Sequence, residues 1–126
     1  MKKDLENRED IEVLVNNFYD KIRQNETLGY IFNDIAHVDW QKHLPKMYSF
    51  WEMILFEKEG YQGQPLRPHL AVNQQYPLTP EHFSLWFQLF ENTVNEYFEG
   101  EKAIEIKSRA KSIAVTWASK IHYLNK

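Results

Sequence analysis

Four residues of this chain carry side chains that could act together around a metal. His69 lies in the Pro-rich segment QPLRPHLAV, where a loop can orient its imidazole freely as an axial ligand. Tyr19, His43 and Trp86 lie in helical patterns, and each carries a hydrogen-bond donor. A metal held from one side by His69 would leave its other face open to these donors. The chemistry indicated is the binding of a small polar ligand on that open face.

Two amphipathic helices are predicted in the first half of the chain. The first covers residues 9–24, where apolar residues recur at helical spacing. The second covers residues 40–57, with Asp39 as its predicted N-cap. A short helical turn with a glycine corner is expected between them, over residues 27–32. Pro45 cannot donate a backbone hydrogen bond, so it is expected to kink or distort the start of the second helix.

Two further helices are predicted in the second half. Thr and Pro at 79–80 form a helix start, and the apolar face that follows ends before Gly100. The last helix is predicted over residues 102–123. Residues 58–79 contain repeated Gly and Pro but also apolar residues, which predicts an ordered loop with at most one or two helical turns. With no convincing strand, the expected fold class is all-α.

The composition excludes several classes of protein. A length of 126 residues suits one compact domain, residues 1–126, and 43% hydrophobic residues argue against disorder. Cysteine is absent, which excludes disulfides, thiolate metal sites and a cysteine nucleophile. No basic tract indicates nucleic-acid binding, and no apolar run approaches the roughly 20 residues of a membrane span. Because the start lacks an apolar signal segment, a cytoplasmic location is expected.

The aromatic content favours haem over a bare metal ion. Aromatic residues make up 15% of the chain, and such flat apolar side chains can form the walls that bury a porphyrin. Donors on the open face would stabilise a polarised diatomic ligand. A hydrogen bond to a charged group contributes about 1.5–3 kcal/mol, so one donor could slow ligand loss roughly 10- to 150-fold.

The order of five segments resembles that of the group III truncated haemoglobins. These segments are FYDKIR, IFND, WQKHLPKMYSFW, GYQGQPLRPHL and FSLWFQLF. The resemblance extends over residues 11–117 and covers spacing as well as residue type. It implies a truncated globin fold, in which a two-over-two sandwich of helices encloses haem b.

The resemblance also implies roles for particular residues. His69 corresponds to the proximal ligand of the haem iron, and Tyr19, His43 and Trp86 correspond to the distal residues that stabilise the bound ligand. Phe32 corresponds to a phenylalanine that packs on the porphyrin near the helix corner. Four more predicted cofactor contacts are Met47 and Phe50 from the His43 stripe, and Tyr61 and Arg67 from the loop. Arg67 lies two residues from His69 and could pair with a haem propionate.

Each distal or proximal residue also has an ordinary interpretation. His69 could be a surface-loop histidine, and His43 a solvent-facing residue in the first turn of a helix. Tyr19 could sit at the core edge with its hydroxyl in water, and Trp86 could simply be core. A zinc site built from the five histidines is a weaker alternative, because no two of them are four residues apart on a helix.

Two classes of function therefore remain open. The first is a haem protein that binds the diatomic gases O2, NO and CO at a five-coordinate haem b. Its three donors favour oxygen or nitric oxide redox chemistry, such as NO dioxygenation or peroxidase-like reactions, over bulk oxygen transport. That chemistry implies an unidentified electron-donor reductase as partner. The chain is expected to be a monomer or weak homodimer. The second class is a haem-free helical interaction domain with a globin-like shape.

Overall fold

The described part of the chain is built from helices. A computed structural model describes residues 2–58 and 72–125, and no strand occurs within these ranges. The helices in chain order are α1 (Arg8–Gln24), the short α2 (Glu26–Gly29), a π-helical segment (Tyr30–Ile35), α3 (Trp40–Phe56), α4 (Pro80–Tyr97) and α5 (Glu101–Leu124). Residues 72–75 form a further helical turn. The four long helices agree with the predicted ones to within about two residues at each end, which confirms the all-α prediction.

The long helices pack in two layers around one apolar core. α4 runs along α5, and α1 packs against both α3 and α4. The side chains that fill the space between them are almost fully buried, and they include Ile11, Leu14, Phe18, Trp51, Phe90, Val94 and Ile106. Among residues 2–58 and 72–125, no helix combines the length and the apolar character that crossing a membrane requires.

Helix α1 forms for reasons that are local as well as tertiary. The side chain of Asn7 accepts a hydrogen bond from the backbone N–H of Asp10 at 3.1 Å, which satisfies a free donor at the helix start. The acidic residues Glu9 and Asp10 suit the positive end of the helix dipole. The apolar stripe that begins at Ile11 is buried along its whole length, so the helix presents one face to the core and carries Tyr19 on that face.

The end of α1 lies so close to α2 that only glycine fits at position 29. Gly29 has ordinary right-handed helical angles, φ −59° and ψ −42°. A Cβ at this position would lie 2.6 Å from the carbonyl oxygen of Arg23, closer than real contacts allow. The glycine is therefore required by close approach and not by an unusual backbone. Asn25 completes the corner, because its side chain accepts hydrogen bonds from Thr27 and Leu28 at 3.0 Å each.

The helical turn predicted over 27–32 is longer than expected and changes type. It continues as the π-helical segment to Ile35, where the backbone N–H of Ala36 donates to the carbonyl of Ile31 at 2.8 Å. The wider turn of a π-helix rotates the residues that follow it relative to an α-helix. The chain then reverses through His37, whose φ is 50°, before α3 begins. This path places Phe32 and Asn33 beside the first turn of α3.

Pro45 does not interrupt α3. The helix runs from Trp40 to Phe56 with Pro45 inside it, so its start is regular, and a kink at Pro45 stays a prediction. The proline cannot donate to the carbonyl of Gln41, but its exposed position leaves that carbonyl accessible to water. Asp39 caps the helix start as predicted, accepting from the backbone N–H of Gln41 at 3.1 Å.

Hydrogen bonds fasten the segment before α4 to the end of α5. The side-chain amides of Asn73 and Asn125 exchange two hydrogen bonds, of 2.8 Å and 3.0 Å. The Oδ1 atom of Asn73 also accepts from the backbone N–H of Leu78 at 2.8 Å. α4 then begins with a cap in which the backbone N–H of Thr79 donates to Nδ1 of His82 at 3.0 Å. Burial lowers the pKa of His82, so the neutral, accepting form is favoured.

The N-terminal residues clamp the start of α5. Both carboxylate oxygens of Asp4 accept backbone hydrogen bonds there, from Lys102 and Ala103, at 2.9 Å each. These bonds hold the pKa of Asp4 below its ordinary value, against the opposing effect of burial. Gly100 precedes the helix with φ 139°, a backbone conformation that residues other than glycine rarely adopt. A Cβ at this position would also lie 2.5 Å from Cγ of Asp4.

We predict that Gly100→Ala lowers the free energy of unfolding by about 1–3 kcal/mol, since it strains the backbone and displaces the Asp4 carboxylate. Urea unfolding followed by circular dichroism measures the change. Ser108→Ala, at an exposed position of α5, serves as the control and should change stability little. Equal stability of Gly100→Ala and the unmodified chain would contradict the role given to Gly100 and Asp4 at the start of α5.

The His82 cap predicts a pH-dependent contribution to stability. Because the folded-state pKa of His82 lies below its ordinary value of 6.5, the cap contributes fully above pH 6.5 and is lost as pH falls through the folded-state pKa. We expect His82→Ala to cost about 0.5–1.5 kcal/mol at pH 7.5 and less at acid pH. His82→Gln keeps an acceptor that does not titrate, so its stability should lack this component of the pH dependence. An effect of His82→Ala that is constant between pH 4.5 and 7.5 would refute the role of Nδ1.

Candidate functional site

Tyr19 is the centre of an aromatic cluster at the junction of three elements. Its side chain is only 4% exposed, and its ring centroid lies 5.2 Å from that of His43 and 5.3 Å from that of Trp40. Phe18 lies 4.8 Å away along α1, and Phe32 of the π-helical segment lies 6.1 Å away. We call Tyr19, Phe32, Trp40 and His43 the distal cluster. Three of these four residues were predicted from the sequence as site residues.

The hydroxyl of Tyr19 is a protonated donor placed in apolar surroundings. Burial raises its pKa well above the ordinary value of 10.0, and no hydrogen bond contributes to the shift. Within residues 2–58 and 72–125 the hydroxyl has no hydrogen-bond partner. A hydroxyl on so buried a side chain has lost most of its contact with water, and polar groups placed in this way in a native protein often face a ligand. The hydroxyl is therefore available to donate to a small polar molecule.

His43 lies on the inner side of the first turn of α3. Its ring meets the rings of Tyr19 and Trp40 nearly edge-on, at interplanar angles of 81° and 80°. The Nε2 atom is buried, although the residue as a whole is partly exposed. This placement argues against the solvent-facing interpretation of His43. Direct contact with a bound ligand stays a prediction.

Trp86 joins the site through Phe18. The indole ring of Trp86, on α4, meets Phe18 edge-on at 5.6 Å, and Phe18 in turn contacts Tyr19. Trp86 also stacks against Phe90, with ring centroids 5.7 Å apart. Phe90 in turn stacks against Trp51 of α3 at 4.9 Å. The structure thus links Trp86 to the distal cluster and also anchors it to the core. Its packing against Phe90 agrees with the core interpretation, and contact of Trp86 with a bound ligand stays a prediction.

Trp40 is a member of the cluster that sequence reasoning did not select as a site residue. Its ring stacks against Phe32 at 5.9 Å with an interplanar angle of 18°. The helical pattern assigned Trp40 to the core face of α3 without relating it to the site. The usable signal was its spacing, because residues three apart on a helix are neighbours and His43 follows Trp40 by three.

The remaining predicted cofactor contacts are described in part. Met47 and Phe50 follow His43 along α3 by four and seven residues, so they share its face of the helix. Phe50 is buried against Trp51, and Met47 is partly buried against the core. Their contact with a cofactor stays a prediction.

The predicted proximal side lies outside the described residues. His69, Arg67 and Tyr61 all belong to residues 59–71, so their predicted roles are not tested. Elsewhere, across 2–58 and 72–125, no three His, Asp or Glu side chains come together in a group that could hold a metal ion. A zinc site among the described histidines therefore finds no support.

The distal cluster fits a flat, apolar cofactor that binds a small gas. Phe32, Trp40 and Trp86 supply broad aromatic surface, as burial of a porphyrin requires. Among these rings lies the buried side chain of Tyr19, and the imidazole of His43 packs against its ring. A polar donor enclosed by rings suits a ligand of very few atoms. The chemistry of the residues thus matches the class predicted from the sequence, a haem-binding globin.

The comparison with protein families gives the same class and makes it specific. The model of the bacterial-like globin family matches residues 4–119, and the chain belongs to this family. Globins bind haem and, as a class, diatomic gases.

The chain is also similar to truncated haemoglobins of group III. The chain is 36% identical over 117 residues to "Group 3 truncated hemoglobin ctb" of Campylobacter jejuni, a match that covers 90% of each chain. It also matches the crystal structure of a group III truncated haemoglobin from Campylobacter jejuni with a TM-score of 0.84 and 35% identity, over 96% of this chain and 95% of that one. The predicted family and the truncated globin fold are confirmed.

Proposed function

We propose that this protein binds haem b and takes up diatomic gases on the side of the distal cluster. In this proposal His69 is the protein ligand of the iron, and Tyr19, His43 and Trp86 face the gas. The b-type cofactor is inferred from the absence of cysteine, since covalent attachment of haem through thioethers needs cysteine side chains. Phe32, Met47, Phe50, Tyr61 and Arg67 are the proposed contacts to the porphyrin and its propionates. A cytoplasmic location is part of the same proposal.

The observation that carries the proposal is the buried hydroxyl of Tyr19. A tyrosine hydroxyl is protonated at neutral pH, and burial raises the pKa of Tyr19 further. The ring that carries it packs beside His43 in a cluster formed by α1, the π-helical segment and α3. A donor that stays protonated can stabilise negative charge on a bound gas at any physiological pH. No second function is favoured by a specific feature of the described residues.

Each part of the chain has a distinct task in this function. Haem, when bound, supplies an iron centre that takes up the gas and exchanges electrons with it. Tyr19 donates a hydrogen bond from its hydroxyl, and His43 and Trp86 offer N–H groups from α3 and α4. Phe32 and Trp40 exclude water from the cluster, which strengthens each of these hydrogen bonds.

The number of donors favours redox chemistry over oxygen delivery. Each hydrogen bond to a polarised ligand slows its release, and three candidate donors would retain oxygen too long for efficient transport. A retained O2 can react with NO to give nitrate, and this reaction consumes one electron per turnover. That electron must come from a partner reductase. Nitric oxide dioxygenation is therefore the reaction class that we propose first, with reduction of peroxides as the related alternative.

The absorption spectrum tests the cofactor and its ligand together. We expect the protein reconstituted with haem to show a Soret band, and His69→Ala to lose it or to bind haem much more weakly. His82→Ala serves as the control, since it removes another histidine away from the distal cluster, and it should keep the band. The loaded protein, mixed with O2 and then NO in stopped flow, should release nitrate. Absence of haem uptake by the unmodified chain would favour the haem-free interaction domain.

Removal of the Tyr19 hydroxyl tests the distal donor. Tyr19→Phe keeps the ring and its packing but cannot donate, so we expect O2 to dissociate roughly 10- to 150-fold faster. Carbon monoxide, which carries less negative charge when bound, should be affected less. Tyr48→Phe is the matched control, because its hydroxyl bonds Asn16 on the surface and it should leave both rates unchanged. Equal O2 release from Tyr19→Phe and the unmodified protein would remove Tyr19 from the proposed site.

A further inference from the structure

We propose that Trp40 is a positioning residue that fixes the relative orientation of Tyr19 and His43. This inference rests on the proposed function, because it assigns the geometry of the distal donors to a residue that need not touch the gas. Trp40 is the first residue of α3, directly after the cap Asp39. From there its indole reaches three elements of the fold.

The ring of Trp40 contacts both donor side chains. Its ring centroid lies 5.3 Å from that of Tyr19 on α1 and 5.6 Å from that of His43 one turn along α3. Tyr19 and His43 are themselves 5.2 Å apart, so the three rings form a nearly equilateral triangle. Neither of the two donor rings can reorient without disturbing its contact with the indole.

Trp40 is itself held from several directions, so that it can act as a fixed support. Its indole N–H donates to Oδ1 of Asn33 at 3.2 Å, and its ring stacks on the neighbouring Phe32. The guanidinium carbon of Arg23 lies 5.0 Å from the ring centroid, within the range of a cation–π interaction. Arg23 also pairs with Asp20 on the same helix. The indole is thus fastened to α1 and to the π-helical segment at once.

Fixing the donors matters because hydrogen bonds depend on direction. A donor that points more than about 60° away from its acceptor contributes little, and both side chains can rotate about their χ angles. Tyr19 is already restrained by Phe18 on α1, whereas His43 lies near the start of a helix. Without the indole, the rings of His43 and Tyr19 would each lose one of the contacts that hold their orientation.

The first test is the release of carbon monoxide and oxygen from the haem-loaded Trp40→Leu variant. We expect release to quicken about 2- to 12-fold, the equivalent of losing one aromatic pair. The C–O stretching band should broaden or split, because the donors no longer hold one orientation relative to the gas. A merely structural role in stability would leave this band unchanged.

Two further variants separate positioning from general destabilisation. Asn33→Ala removes the acceptor of the indole N–H but keeps every ring, so a smaller change in the same direction is expected. If Trp40→Leu does not fold, Asn33→Ala still tests whether Trp40 has a positioning role. Tyr48→Leu is the matched control, since Tyr48 is another aromatic residue of α3 that bonds an asparagine and lies 5.7 Å from the guanidinium carbon of Arg8. It should leave the gas release and the C–O band as they are in the unmodified protein.

A second readout does not depend on haem. The ring protons of His43 should show ring-current shifts from Trp40 and Tyr19 in nuclear magnetic resonance spectra of the chain without haem. In Trp40→Leu the chemical shifts of these protons should move toward those of a histidine ring that samples several orientations. Failure of the unmodified chain to bind haem would overturn the proposed function, and the His43 signals would still decide the positioning role. If the variants are folded, then unchanged His43 signals, or an unchanged C–O band and release rate in loaded protein, would overturn the inference.

Discussion

The burial of the Tyr19 hydroxyl is the constraint on which the rest of the site depends. Moving a hydroxyl from water into apolar surroundings costs up to about 1–3 kcal/mol unless a hydrogen bond replaces those it made with water. A phenylalanine would fill the same space on α1 without that cost. The aromatic contacts with Phe18, Trp40 and His43 offset it by packing around the ring. Such a group is retained at a loss of stability, and the loss is recovered when a polar ligand accepts its hydrogen bond.

The corner between α1 and α3 converts this single buried donor into a site. α2 can follow α1 so closely only because Gly29 lacks a Cβ. The π-helical segment then changes the direction in which its side chains point, which brings Phe32 and Asn33 against Trp40. An α-helical continuation would have given these two side chains a different facing relative to the start of α3. The geometry of the distal cluster is therefore set by backbone features some distance from the donors.

The sequence predicts the long helices well and this corner poorly, for a physical reason. Helical periodicity integrates over many residues, so the limits of α1, α3, α4 and α5 follow from it. The meeting of Tyr19 and His43 is predicted jointly by helical phase and by the resemblance to group III truncated haemoglobins. A π-helical turn depends on contacts with distant segments, and it leaves no periodic pattern in six residues. Gly29 is required because the last turn of α1 approaches it closely, and this approach leaves no signal in the local sequence.

Pro45 shows how a local penalty is absorbed by the context of a fold. In isolation it weakens the first turns of α3, where His43 also lies. In the structure the helix continues through it, because both ends of that first stretch are fixed independently: Asp39 caps the start and the buried Trp51 anchors the next turns. The missing backbone hydrogen bond then falls on an exposed carbonyl that water can satisfy. The turn carrying His43 is consequently less tightly bonded along the backbone than the rest of α3, so its orientation depends more heavily on side-chain contacts, among them those with Tyr19 and Trp40.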